Sequence, residues 1–175
     1  LVFVKKGIMT FDEFERVFHE IYSPDKEMVF HFRLTSKGKT SPEMTHPFRV
    51  CRSPEPDPLE FVTTLPVLFH NGTIIGLGDY EKSDTFYLSR LLGELFGSKA
   101  CVKTTAKVTL KTLAKVLELT NSKFVLFTPK KTITVGNFIE ENGCLFSNSS
   151  WKVDTFVFYS FSPYKNKKGG WGRWW

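Results

Sequence analysis

An arginine at position 33, an asparagine–glycine pair at 71–72 and an aspartate at 84 are the groups of this chain best suited to hold one small amino acid. They offer a fixed cation, an oxyanion-type donor pair and a carboxylate. A guanidinium is a planar fork that grips a carboxylate through two parallel hydrogen bonds. A carboxylate answers an ammonium. An asparagine amide and a glycine N–H can both point at one developing oxyanion, which is typically worth ~3 kcal/mol per donor in acyl transfer. Ser36, close after Arg33, adds a hydroxyl. Each group also has an ordinary structural reading. Arg33 sits among Phe30, Phe32 and Leu34 and fits an exposed strand position or a structural ion pair. Asn71-Gly72 fits a plain hairpin turn. Ser83 and Asp84 both fit the N-cap of a helix.

These residues fall into short motifs in a fixed order. His31-Phe32-Arg33 runs into Ser36-Lys37-Gly38 and then His46-Pro47-Phe48; Leu68-Phe69-His70-Asn71-Gly72 follows, and then Ser83-Asp84-Thr85. The string resembles the glutaminase half of class II glutamine amidotransferases, members of the N-terminal nucleophile hydrolases, and is similar to the short stand-alone versions of bacteria and bacteriophages. The likeness runs through roughly the first 95 residues, weakens through Ile139-Glu140-Glu141-Asn142-Gly143 and Ser147-Asn148-Ser149-Ser150, and stops there. Where the family usually reads Ala-Thr-His-Gly, this chain has Thr35-Ser36-Lys37-Gly38. Ser36 thus keeps the hydroxyl, and Lys37 replaces a histidine.

The resemblance implies roles and a fold. Arg33 would grip the α-carboxylate of glutamine, with Ser36 beside it, and Asp84 would hold the α-ammonium. Asn71 and Gly72 would form the oxyanion hole, and His46-Pro47 would fix a loop. The family uses an N-terminal cysteine as nucleophile, with its own α-amine as base, and needs no cofactor. It releases ammonia to an acceptor synthase or another partner, or passes on the γ-glutamyl group. Gly7-Ile8-Met9-Thr10-Phe11 matches the family's start of a helix, which puts that cysteine some tens of residues ahead of Leu1. Cys51, Cys101 and Cys144 then read as small core residues. The same scaffold without turnover would be a binding or interaction protein, such as one of a bacteriophage. The implied fold is α+β, a four-layer αββα sandwich of antiparallel sheets.

The elements that must position these groups can be read from periodicity. Leu1 to Val4 reads as a strand. Thr10 and Glu13 form a capping box, and Phe11, Phe14, Phe18 and Ile21 recur at helical spacing as a buried face. Met28 to Leu34, Phe48 to Cys51 and Leu65 to His70 read as strands, with Asn71-Gly72 a tight turn. Asp84 to Phe96 is helical, with Tyr87, Leu88, Leu91, Leu92 and Leu95 apolar; Val108 to Leu119 is a second such helix. Short strands follow at Phe124 to Phe127, Thr132 to Val135, Asn137 to Glu140, Cys144 to Ser147 and Thr155 to Tyr159. Strands and helices come in blocks, as in antiparallel sheets with helices outside.

The chain has 175 residues, 41% of them hydrophobic and 18 of them Phe, enough for one aromatic-rich core. No apolar run approaches the ~20 residues needed to cross a bilayer, and Leu1-Val2-Phe3-Val4-Lys5-Lys6 has the wrong order for a signal peptide. Three widely spaced cysteines argue for a reducing compartment, so the expected location is the cytoplasm. The net charge is +6, but outside the last residues it is mixed, which argues against a nucleic-acid surface. The domain is expected to span residues 1–160, with 161–175 a basic tail. Trp171, Trp174 and Trp175 lie there among Lys165, Lys167, Lys168 and Arg173. Indoles, glycines and cations together suit stacking on single-stranded bases, a membrane interface, a protein partner, or packing on the chain's own surface or a second copy.

Overall fold

The computed structural model describes residues 1–36, 38–96, 114–150 and 152. The chain forms two compact units, one from Leu1 to Asn137 and a second beginning at Phe138. Residues 108–113 of the second expected helix, the expected strand from Thr155 to Tyr159 and the tryptophan tail lie outside the described residues.

The first unit contains β1 (Val2–Lys5), α1 (Phe11–Ile21), β2 (Phe48–Arg49), β3 (Glu60–Thr63), β4 (Val67–Asn71), α2 (Asp84–Phe96), β5 (Lys123–Phe127) and β6 (Thr132–Val135). Residues 114–118 are also helical. All strand pairs among the described residues are antiparallel, so the fold class is α+β. β1 pairs with β3, and a four-stranded sheet runs β2-β4-β5-β6.

Side-chain alternation along β4 and β5 explains how the layers stack. Successive strand residues face opposite sides. Val67 and Phe69 pack with Val2 and Val4 of β1, joined by Phe61, Val125 and Phe127. Leu68, Phe124 and Leu126 face the other way and bury Leu88 and Leu92 of α2, with Leu117 and Val135. The four-stranded sheet therefore lies between the β1–β3 ribbon and α2. Each fully buried Leu or Phe contributes roughly 2–3 kcal/mol, so the two faces anchor β4 firmly.

Helix α2 buries only part of the stripe its leucines suggest, with Leu88 and Leu92 inside as expected. Leu91 and Leu95 are exposed and Tyr87 is borderline, whereas Thr85, Phe86, Ser89, Leu92 and Gly93 are buried. The small residues decide this. A Cβ on Gly93 would collide with the backbone of Cys51, so its absence lets the helix lie directly against the bend that follows β2. Helix α1 departs in the same sense. Thr10 caps it by accepting from Glu13 N–H at 3.2 Å, one half of the expected capping box, while the Glu13 carboxylate accepts from Met9 N–H at 3.4 Å. Only Val17 is fully buried, however, and Phe11 is exposed. Its rings instead meet Phe30 and Phe32, with Phe14 centroids 5.8 and 5.0 Å away.

Three further expectations are corrected. Met28 to Leu34 forms no strand; its side chains, not a backbone ladder, tie it down through those ring contacts and through His31. Asn71-Gly72 is not a hairpin turn, because β4 pairs with β2 and β5 rather than with the residues that follow it. β3 was not foreseen: Phe61 and Val62 are adjacent rather than alternating with polar residues, and Glu60 and Val62 are exposed with Phe61 half-buried. In the second unit, β7 (Ile139–Glu141) and β8 (Cys144–Phe146) form a hairpin, close to the expected strands.

Candidate functional site

The site assembles where β4 ends and α2 begins. His70, Asn71 and Gly72 close the strand, and Ser83, Asp84 and Thr85 open the helix. Between them the chain loops out through residues 73–82.

Ser83 caps α2: its hydroxyl oxygen accepts from Phe86 N–H at 3.2 Å. That leaves the Asp84 carboxylate to turn toward the loop. One oxygen accepts from Ile74 N–H at 2.7 Å. The other accepts from Thr85 N–H at 2.7 Å and from the Thr85 hydroxyl at 3.2 Å. Asp84 is only 4% exposed, so these bonds are what make its burial tolerable. They also tether the segment leaving Gly72 to the start of α2.

Arg33 approaches from the other side. Its guanidinium donates to Lys39 C=O at 2.9 Å. Burial lowers its pKa, and the negative charge of Asp84 pushes it back up, so the two opposite charges sense each other across the site. The loop carrying Arg33 is pinned in place. The Thr73 hydroxyl donates to Ser36 Oγ at 3.2 Å. Gly38, at φ +77°, brings its backbone so close to the start of α2 that a Cβ would lie 2.7 Å from Ser83 N. A residue with a side chain would be strained there as well as obstructed. Arg33, Ser36, Gly72 and Asp84 thus belong to one neighbourhood of two loops and a helix start.

Gly72, at φ +142°, sits at the exposed edge of this neighbourhood with Asn71 half-buried beside it. Behind it lie Ser122 Oγ, which a Cβ would overlap, and His70 Nε2, which would be 3.1 Å from that Cβ. Only glycine lets the backbone pass here.

Beneath the corner lies a group of residues that sequence reasoning missed. Three of the chain's four histidines, His31, His46 and His70, cluster under the site. The His31 and His46 ring centroids are 4.0 Å apart. His31 Nε2 lies 3.0 Å from the His70 carbonyl, and a carbonyl only accepts, so Nε2 carries the proton. His70 stacks on Phe124 at 4.5 Å and its Nδ1 is 2.9 Å from Thr85 Oγ1. Burial lowers the pKa of all three, that of His70 to about 4, against the opposing pull of Asp84. His46 is pushed well below the ordinary histidine value, with His31, His70, Arg33 and Lys6 adding to the effect. All three imidazoles are held neutral near pH 7. The only sequence hint was that two of them stand beside Arg33 and Asn71; nothing local ties His70 to Thr85.

A second buried polar cluster is structural. Asp57, fully enclosed, receives Arg49 at 2.7 Å and lies 3.5 Å from Arg90. Lys6 is buried over the Phe48 ring, and burial lowers its pKa to about 8.

As for a thiol, Cys51 is buried against Gly93, Cys144 is exposed on β8, and Cys101 lies outside the described residues. Among the described residues no group of three or more His, Cys, Asp or Glu is arranged to hold a metal ion, and no helix is long and apolar enough to cross a membrane. No protein-family model, curated protein or solved structure matches the chain.

Proposed function

We propose that this chain is the glutamine-recognising and oxyanion-stabilising part of a class II glutamine amidotransferase of the N-terminal nucleophile type. The observation that carries the reading is the junction at Asp84. Its carboxylate acts electrostatically on Arg33 while holding the segment that leaves Asn71-Gly72. A free amino acid with a side-chain amide presents an ammonium, a carboxylate and a carbonyl. Those are the three complements of Asp84, Arg33 and the Asn71-Gly72 corner.

In this reading Arg33 forks the α-carboxylate, Ser36 adds a hydrogen bond and Asp84 receives the ammonium. The attacking thiolate belongs to an N-terminal cysteine ahead of residue 1. As it adds to the amide carbon, the carbonyl oxygen becomes an oxyanion, which Asn71 and Gly72 stabilise. Ammonia leaves and the γ-glutamyl thioester remains, to be hydrolysed or passed to an acceptor. A partner would take the ammonia, and the tail bearing Trp171, Trp174 and Trp175 is the segment suited to contact it. The facing of the β1–β3 ribbon on the four-stranded sheet supports the family's four-layer αββα sandwich. Cys51 and Cys144, both free thiols, agree with a cytoplasmic setting, that of the host if the chain is viral.

One observation favours a second reading, a scaffold that binds without turnover. The Asp84 carboxylate already accepts three bonds from the chain and is satisfied with no guest. Calorimetry with L-glutamine, L-glutamate and butyramide tests both. The proposal expects L-glutamine to bind and butyramide, which lacks both charged ends, not to. With the native N-terminus present, ammonia release separates turnover from mere binding. No heat with L-glutamine would remove both readings.

A further inference from the structure

Asp84, Thr85 and His70 form a chain of polar atoms that runs beneath the site. The Thr85 hydroxyl lies 3.2 Å from Asp84 Oδ1 and 2.9 Å from His70 Nδ1, and it has only one proton to give. His70 Nδ1 is itself 3.9 Å from the same carboxylate oxygen. On the opposite side of the ring, Nε2 is buried with no hydrogen-bond partner among the described residues, and it faces Gly72 beside Ser122 Oγ.

Three arguments converge on one tautomer. The carboxylate is the stronger acceptor, so the threonine proton goes there, and Thr85 Oγ1 then accepts from Nδ1–H. A proton at Nδ1 also lies nearer the Asp84 charge than one at Nε2. A proton at Nε2 would be a buried N–H with no acceptor, which is rarer and costlier in proteins than an unmatched acceptor. Stacking on Phe124, with planes 7° apart, fixes the plane of the ring, and the 2.9 Å contact to Thr85 Oγ1 fixes which nitrogen faces the threonine.

We propose that Thr85 is a positioning residue that locks His70 as the Nδ1–H imidazole, so that an unprotonated nitrogen backs the Asn71-Gly72 corner. The backbone of Gly72 then packs against a lone pair rather than against an N–H. Proton addition or a tautomer change at Nε2 would insert a hydrogen into the space that only glycine leaves open, and would move the corner. The consequence for the corner rests on the proposed amide chemistry; the tautomer itself does not.

The test is long-range 1H–15N correlation NMR of the intact protein at pH 7, which distinguishes protonated from unprotonated imidazole nitrogens. The expected result is a protonated Nδ1 and an unprotonated Nε2 at His70 in the wild type. Thr85→Ser retains this pattern and the Gly72 amide position. Thr85→Val removes the acceptor of Nδ1–H, so a measurable population protonated at Nε2 appears beside it and the Gly72 amide shifts. A protonated Nε2 in the wild type would overturn the proposal, and so would a Thr85→Val protein with His70 and Gly72 unchanged. Should Thr85→Val fail to fold, the wild-type and Thr85→Ser spectra still decide. Failure of L-glutamine to bind would remove the functional reading and leave the tautomer measured; a wrong tautomer would leave glutamine binding untouched.

Discussion

Single residues at this site carry opposing demands of burial and charge. The histidines give a clear sign. Folded His31, His46 and His70 have depressed pKa values, so the unfolded chain binds more protons below the ordinary value of 6.5. Stability therefore rises with pH through this window. The contribution of His70 is fully present above about pH 6.5 and is lost as pH falls toward about 4. A shift of that size corresponds to on the order of 2 kcal/mol lost at pH 5 relative to pH 7. Urea unfolding at the two values should show a lower midpoint at pH 5; equal midpoints would mean the rings are not held neutral. Arg33 makes a different prediction. Lysine keeps the charge but loses the fork, so Arg33→Lys should weaken L-glutamine binding by roughly tenfold or more in calorimetry. The fold should survive, because the described hydrogen bond of Arg33 to Lys39 C=O lies at the surface.

Elements are legible in this sequence where the signal is local and obscure where a distant partner decides. The Thr10–Glu13 cap, the limits of α2 and the β6 strand follow directly from short-range chemistry. The face of α2 does not. Leu88 and Leu92 of its expected stripe are buried, but the close approach of Gly93 to Cys51 goes with Leu91 and Leu95 facing out, and that contact joins residues 42 positions apart. The same long range hides the end of β4, whose neighbour β5 arrives more than fifty residues later, so Asn71-Gly72 reads falsely as a hairpin. At the site, Ser83 and Asp84 are visible as helix-start residues, whereas the His70–Thr85 contact exists only once strand and helix have packed. The close approach at Gly93 can be tested. Gly93→Ala would force α2 away from the backbone of Cys51 and should cost roughly 1–3 kcal/mol despite alanine's better helix propensity. Thermal or denaturant unfolding of the variant checks this, and an unchanged or raised stability would show that the helix has room to move.

The whole first unit can be seen as a device for bringing remote segments of chain together. The β1–β3 ribbon, the four-stranded sheet and α2 meet so that a loop from before residue 40, a strand end near residue 72 and a helix start at residue 84 share one locality. The charge of Asp84 raises the Arg33 pKa against the lowering by burial, and a hydroxyl pair joins Ser36 to Thr73. The net charge of +6 is no obstacle to a zwitterionic guest, whose own charges cancel. The most direct test is a 1H–15N titration of the protein with L-glutamine, with the Arg33 guanidinium, the Asn71 side-chain amide and the Gly72 and Ile74 backbone amides assigned. The account predicts that all four move together and saturate with one apparent dissociation constant. A spectrum that does not change, or one that changes only away from those residues, would contradict it.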